Sequence, residues 1–363
     1  MKENVLERNA RLHIDEHIAQ FRAKMKMPYE FKRNYAEIRA REFYDECGRR
    51  GLNTHASVGG LDSITMLCFL RKIGIDVPAI SCSQLEDKSI QLVHKALGVE
   101  NVKPLRRKDQ VIMEFGFPVI SKEAAGKIEL LQNPSEKNAT VRHAIITGET
   151  GEYGGNRTGT RMKLPDRWLK IFGGADEEGK ALGYRAAPFK VSQKCCYYLK
   201  EKPCDDWAKA HNSVPYLGLM ASEGGRREKA LMMHGCNYFG ATTIRSCPFA
   251  IFDRQDILRL ALELDVPVPE IYGRIVREAD GTLRTTKAQR TGCSMCGFGI
   301  HLDKRPHTFD MLYDRNPKEW AYWMYTVGWG DVLDYIGVEW RQEGRQIDLM
   351  DEIDAMYADA AKT

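Results

Sequence analysis

The sequence predicts an α/β fold, a mainly parallel sheet with helices on both faces, with a helical N-terminal arm and a helical C-terminal region. Two observations carry that prediction. From residue 51 onward, short apolar runs alternate with segments of helical periodicity, and glycines stand where the helical segments end. A strand that returns through a helix to the next strand gives a right-handed crossover and parallel pairing. The 363 residues divide on this pattern into an arm (1–50), a main α/β domain (51–300) and an aromatic-rich helical region (301–363).

In the arm, Leu12, Ile14, Ile18 and Phe21 recur at helical steps, and Tyr35, Ile38 and Phe43 resume the pattern, as in a charged helical arm packed on a core. Leu52, Thr54, Ala56 and Val58 then alternate as a strand until Gly59-Gly60 stops them. Ile64, Leu67, Cys68 and Ile73 mark one face of a helix closed by Gly74. Residues 77–82 read as a second strand, 87–97 as a second helix and 102–105 as a third strand. Residues 147–160 are glycine-rich and polar, which predicts a mobile loop or lid. Strand character returns at 214–219, Asp253 caps a helix running to about Leu264, and Asp280-Gly281 joins the two arms of a hairpin. Trp320, Trp323, Trp329 and Trp340 read as packing residues of the tail.

Apolar residues at 43% and charged residues at 29% exclude a disordered or collagen-like chain. No run approaches the ~18 apolar residues of a membrane span, and the opening MKENVLERNA has no apolar signal core. The expectation is a cytoplasmic protein with no membrane partner. A net charge of +4, from 54 basic and 50 acidic residues, argues against a protein that coats nucleic acid. Ten cysteines are too few for a disulfide scaffold in a chain of this size and point to metal or redox chemistry.

Two constellations carry chemistry. At Ser57-Val58-Gly59-Gly60-Leu61-Asp62-Ser63 a strand delivers the chain to a helix N-terminus. Two glycines permit a tight turn, the helix start offers N–H donors, and the hydroxyls of Ser57 and Ser63 add donors to the same anion. Neither the Walker pattern nor G-x-G-x-x-G is present, and a plain turn capped by Asp62 is the alternative. The second constellation is Cys195-Cys196 with Cys293-Ser294-Met295-Cys296. The two pairs supply four sulfur ligands, and adjacent cysteines suit a polynuclear iron–sulfur cluster better than a single zinc. Cys47, Cys68 and Cys82 read as small apolar packing residues, and Cys204, Cys236 and Cys247 are left unassigned.

The turn resembles the Ser-Gly-Gly-x-Asp-Ser pyrophosphate loop of the adenine nucleotide α-hydrolase (PP-loop) superfamily, with Val58 at the first serine position. The cysteine pairs, about a hundred residues apart, resemble the cluster signature of adenylylsulfate reductases. Ser83-Gln84-Leu85-Glu86 is similar to the Thr-Gly-Leu-Glu turn after the second strand, and 218–227 to the family's Gly-x-Arg-x-x-Glu-Ser-x-x-Arg segment. Residues 332–338 are similar to its C-terminal stretch. Over roughly residues 50–340 the chain is thus identified as a member of the phosphoadenosine phosphosulfate reductase-like family.

That resemblance implies a Rossmann-like fold and an adenine nucleotide held by Ser57, Gly59, Gly60, Asp62, Ser63, Leu85, Glu86, Glu223 and Arg226. It implies Asp62 and Arg227 as the catalytic pair and a 4Fe–4S cluster on Cys195, Cys196, Cys293 and Cys296. No cysteine follows Cys296, whereas the true reductases attack the sulfonucleotide with a cysteine near the C-terminus, and Met220 stands where the segment has arginine. The favoured expectation is therefore ATP, with Mg²⁺, attacked at the α-phosphate to give an adenylylated substrate, which then receives sulfur from a sulfur donor. Nucleic acid is one acceptor that the resemblance implies. The alternatives are reduction of adenylylsulfate or phosphoadenylylsulfate to sulfite with a thiol reductant, Cys236 or Cys247 being the thiol, and a regulatory subunit that binds nucleotide and cluster without turnover and acts on a partner subunit. The basic stretch 157–167 is read first as a solvated lid and second as a polyanion contact.

Overall fold

The structure, a computed structural model, describes residues 5–293 and 295–342, with side chains from residue 14 onward except that of Arg226. It is a mixed α/β protein with a mainly parallel sheet flanked by helices. The strands run, in chain order, β1 (Asn53–Ser57), β2 (Ala79–Ser81), β3 (Glu100–Asn101), β4 (Val119–Ile120), β5 (Ser213–Leu217), β6 (Asn237–Phe239), β7 (Ile244–Ser246), β8 (Ile275–Arg277), β9 (Leu283–Thr285) and β10 (Gly297–Phe298). The chain forms two compact units. One comprises the described residues up to Lys103 together with Lys202–Gly292, and the other comprises Pro104–Glu201 together with the described residues from Cys293 onward.

The first unit holds a six-stranded sheet in the order β3-β2-β1-β5-β7-β6. β1 pairs in parallel with β2 (Ala56↔Ala79) and with β5 (Asn53↔Ser213), and only β6 runs antiparallel to its neighbour. β1 is central and buries Thr54, His55 and Ala56, so its C-terminal end opens at the middle of the sheet. The helix Leu61–Lys72 that follows it buries seven residues, from Leu61 to Leu70, far more than one narrow stripe. Tyr29–Arg49 is a helix that lends Ala36, Ala40, Phe43 and Cys47 to the core. Phe43 meets the Tyr216 ring edge-on at 5.0 Å, and the Tyr216 hydroxyl donates to the Ala40 carbonyl at 2.8 Å. The helix also buries the charge of Lys32, which is matched by Asp256 at 2.7 Å, as a buried ammonium requires.

The third strand lies at 100–101, two residues earlier than the expected 102–105. Val102 N–H still donates to the Ser81 carbonyl at 2.8 Å, but Pro104 has no N–H to continue the ladder, and Leu105 points to solvent. The hairpin across Asp280-Gly281 forms as β8 and β9. The β6–β7 pair has no counterpart in the expected elements. Its strands are three residues each and mostly half-buried, so they show no clean alternation.

In the second unit β4 pairs in parallel with β10, and Trp320, Trp323, Trp329 and Trp340 are all buried. Trp329 packs edge-on against Phe117 and Phe309, each at 5.1 Å, and the indole N–H of Trp340 donates to Asp334 at 2.9 Å. The segment 147–160 is an exposed loop tied at its neck, with Thr160 N–H on the Gly148 carbonyl at 3.0 Å and Thr150 N–H on the Arg157 carbonyl at 2.8 Å.

His55 makes the first unit sensitive to acid. It is 1% exposed, its Nδ1 lies 2.8 Å from Ser213 Oγ, and the Trp207 ring lies edge-on at 5.2 Å. Burial, helped by the charge of His211, pushes its pKa down from 6.5 to about 4. The folded chain keeps this imidazole neutral while the unfolded chain protonates it near its ordinary value. Its contribution is thus complete above pH 6.5 and is lost as pH falls towards about 4. Urea denaturation across that window should show stability falling with acidity, and His55→Gln should flatten the slope by at most about 1.4 kcal/mol per pH unit. An unchanged slope would remove His55 from the acid response.

Candidate functional site

The end of β1, the turn after it and the start of the helix Leu61–Lys72 line a cavity of about 410 Å³ in the first unit. Gly60 is the residue that precedes the helix, so the turn brings the positive, N-terminal end of the helix to this wall. Ser57, Gly60, Asp62 and Ser63 line the cavity. The Ser63 hydroxyl accepts from Gly59 N–H at 2.7 Å and donates to the Gly60 carbonyl at 2.9 Å. It therefore braces the turn, and must rotate before it donates to a ligand. The Gly59 carbonyl is held from behind by His94 Nε2 at 2.8 Å. Gly218, at the end of β5, faces the same turn so closely that a Cβ there would lie 2.9 Å from Ser63 Cα.

Three arginines converge on the opposite side. Arg254 pairs with Asp62, Arg227 pairs with Glu223, and Arg290 reaches Glu223 Oε1 at 3.0 Å. Glu223 is fixed in turn, its second oxygen accepting from Met220 N–H at 3.2 Å. Burial holds the Asp62 carboxyl above the usual carboxylate range, with the Glu223 charge acting in the same sense and Arg254 against it. Three guanidiniums opposite two carboxylates leave the wall positive, and each guanidinium presents a fork that suits phosphate oxygens. The Tyr272 hydroxyl completes the wall, accepting from Leu61 N–H at 3.1 Å and lying 2.5 Å from Thr291 Oγ1. Burial pushes this phenol up, so it stays protonated.

The sequence-predicted nucleotide residues are thus only partly brought together. Ser57, Gly60, Asp62, Ser63, Glu223 and Arg227 share one cavity. Leu85 and Glu86 are buried and lie outside its lining, Glu86 sitting behind Gly59. The side chain of Arg226 falls outside the described residues, and its backbone lies in the helix Gly225–His234. Met220 is buried, and the cationic charge its segment lacks is supplied from elsewhere by Arg254 and Arg290. Sequence reasoning missed those two arginines, Tyr272 and Thr291. Arg254 follows the helix cap Asp253, and Arg290-Thr291 precedes Cys293, but neither position carries a motif.

Cys236 and Cys247 are core residues, 3% and 0% exposed, and neither lines the cavity. Burial pushes their thiols up to about 12 and about 11, away from the thiolate that a nucleophile requires.

All four remaining site cysteines belong to the second unit. Cys195 and Cys196 sit on the single helical turn Lys194–Cys196, and Cys293 and Cys296 close a tight turn through Cys296 N–H on the Cys293 carbonyl at 3.1 Å. The thiols are electrostatic neighbours. Cys195 is pushed up to about 12, first by burial and then by Cys293, Cys196 and Cys296, and Cys196 up to about 11 by burial with Cys296 and Cys293. Lys108 opposes this at Cys195 and Cys296, and its ammonium is shielded from solvent with no hydrogen-bond partner among the described residues. As placed, no three His, Cys, Asp or Glu side chains among the described residues are arranged to hold a metal ion. The chemistry of the donor set nevertheless fits a thiolate-bound group, since an anionic one would suit four neighbouring sulfurs and an ammonium that lies over the Trp323 ring at 5.6 Å without a hydrogen-bond acceptor among the described residues.

In the stretch 157–167, Lys163 pairs with Asp166 at 2.8 Å and Arg167 lies over the Trp168 ring at 4.4 Å, so part of its charge is already engaged. No helix among the described residues is long and apolar enough to cross a membrane. No family model, no curated protein and no solved structure matches the chain.

Proposed function

We propose that the cavity of the first unit binds the phosphates of an adenine nucleotide and that the chain acts at the α-phosphate, converting ATP to AMP and pyrophosphate through an adenylylated substrate, in the service of sulfur transfer. One observation carries this reading: a glycine turn at a helix N-terminus and three arginines from separate segments face one cavity large enough for a triphosphate. Helix N–H groups and guanidiniums together are what an incoming polyanion needs. A substrate oxygen forms a bond to the α-phosphorus, the bond to the bridging oxygen breaks, and pyrophosphate leaves with the electron pair. Arg227, Arg254 and Arg290 would stabilise the charge that develops on the leaving group. Mg²⁺ would enter with ATP as part of the substrate, and Asp62 is the carboxylate nearest the turn that would meet it after releasing Arg254.

Cys195, Cys196, Cys293 and Cys296 are the residues that would hold a 4Fe–4S cluster, and the chemistry it supplies when bound is the holding or delivery of sulfur. Sulfur displacing AMP from the adenylylated substrate gives the thiolated product, with nucleic acid as one class of acceptor. Reduction of a sulfonucleotide gains no support from the cavity, because neither Cys236 nor Cys247 reaches its wall.

The test is product analysis under strict anaerobiosis. Incubation of the full chain with Mg²⁺-ATP and candidate acceptors should release AMP and pyrophosphate in equal amounts, lost in Arg254→Ala. Sulfite released from adenylylsulfate or phosphoadenylylsulfate would point to the reductase, and nucleotide binding without any product to a regulatory subunit; either outcome overturns the proposal.

A further inference from the structure

Two thiols that sequence analysis kept apart meet in the first unit. Cys82 Sγ and Cys204 Sγ, 122 residues apart in the chain, lie 3.8 Å from one another. A disulfide needs about 2.05 Å, so the two atoms must close by roughly 1.8 Å, a displacement within reach of side-chain rotation. Cys82 is 4% exposed, whereas Cys204 is half-buried and open to a small reagent. We propose that Cys82 and Cys204 are a redox modification site, a dithiol that a peroxide converts to a disulfide, and that its closure is transmitted to the glycine turn at 59–63.

The transmission path is short and runs through the buried side chains of Ser83 and His94. Cys82 directly follows β2 and immediately precedes the single turn Ser83–Leu85. Ser83 Oγ lies 2.8 Å from His94 Nδ1, and His94 Nε2 lies 2.8 Å from the Gly59 carbonyl. A carbonyl can only accept, so Nε2 carries a proton and donates to it, while Nδ1 shares a hydrogen bond with the Ser83 hydroxyl. His94 is 1% exposed and Ser83 is 7% exposed, so water does not substitute for these bonds. A displacement of Cys82 moves Ser83, and through His94 it pulls on the backbone of the turn. On the other side Cys204 belongs to the helix Lys202–Ala210, whose Trp207 indole donates to Glu100 Oε1 of β3 at 2.8 Å. That helix is already fastened to the sheet edge. The bond's closure is therefore taken up on the Cys82 side, where the chain leads to the turn.

The chemistry balances with hydrogen peroxide as oxidant. The accessible Cys204 thiolate attacks the peroxide, forming an S–O bond as the O–O bond breaks, and one water leaves after protonation. The Cys82 sulfur then attacks the sulfenic sulfur, the S–S bond forms, the S–O bond breaks and a second water departs. Two thiols and one peroxide give one disulfide and two waters. A small dithiol reverses the reaction by exchange.

The inference does not depend on what the cavity binds, and its test uses no nucleotide. Full-length protein kept reduced and anaerobic would be treated with a stoichiometric amount of hydrogen peroxide, its remaining thiols alkylated, and the peptides mapped by mass spectrometry. The expected product is a cross-linked pair containing Cys82 and Cys204, released by dithiothreitol. Hydrogen exchange of the peptide spanning residues 56–66 should change at least threefold on oxidation in the parent and stay constant in Cys204→Ser. Reduced Cys204→Ser serves as the folding control through native exchange of β1, and Cys204→Ala replaces it if that control fails. Alkylation of both cysteines after peroxide, pairing of either with another cysteine, or a mapped disulfide with no change in the turn would each overturn the proposal.

Discussion

Alanine at Gly218 is expected to weaken nucleotide binding at least tenfold and to destabilise the first unit by about 1–3 kcal/mol, the range for overpacking a filled site. The added Cβ would stand 2.9 Å from Ser63 Cα, 3.0 Å from Ser63 N and 3.2 Å from the Asp62 carbonyl carbon. All three are backbone atoms at the start of the helix Leu61–Lys72, so relief requires the turn and the helix end to move together. Gly60→Ala makes an informative companion. Its Cβ would clash with Tyr272 Oη and meet Thr291 Oγ1 at 3.1 Å, both ends of side chains, while the Tyr272 ring carbon behind the hydroxyl lies at 3.7 Å. Tyr272→Phe should therefore restore much of what Gly60→Ala loses and nothing of what Gly218→Ala loses. Calorimetric titration with ATP and urea denaturation of the four variants read both effects. A Gly218→Ala protein that binds ATP like the parent would show that the turn does not form the nucleotide wall.

Serine at Cys195 or at Cys293 should abolish iron content and the broad visible absorbance of a cluster in anaerobically purified protein, whereas Cys68→Ser should keep both. Cys195 and Cys293 are electrostatic neighbours in the second unit, while Cys68 sits half-buried on the helix Leu61–Lys72 of the first. A hydroxyl in place of one of four thiolates removes a ligand and leaves Lys108 facing less negative charge. The second measurement separates ligand loss from misfolding, because serine is close to cysteine in size and each variant should retain the parent's denaturation midpoint once both are stripped of metal. Retention of iron in Cys195→Ser would sink the four-cysteine assignment.

The parts of the site that were legible in the sequence are those within a few residues of a break in pattern. Alternation up to Val58, two glycines and a run of helical spacing are sufficient to locate β1, the turn and the helix after it. The edge of the sheet was misread because its pairing is carried by backbone atoms of Glu100 and Asn101, whose side chains are exposed and polar. No hydrophobic pattern marks such a strand, and Val102, which does look like one, only finishes the ladder. Arg254 and Arg290 lie 192 and 228 residues after Asp62, with nothing local to distinguish them from surface arginines. Cys82 carried the signature of a packing residue and does lie buried, yet its neighbour is Cys204.

Local chemistry by itself determined the class of the fold, the position of the glycine turn and the pairing of cysteines into motifs, because strand and helix periodicity, glycine stops and short spacings are properties of adjacent residues. Only the tertiary structure decided which arginines face Asp62 and Glu223, that the Ser63 hydroxyl braces the turn, that Cys236 and Cys247 are buried away from the cavity, and that Cys82 meets Cys204. Those contacts arise when parallel pairing lays β5 beside β1 and brings residues from 202–292 against residues near 60. Their partners are chosen by sheet order and packing, and no pattern within one segment records which distant segment will be its neighbour.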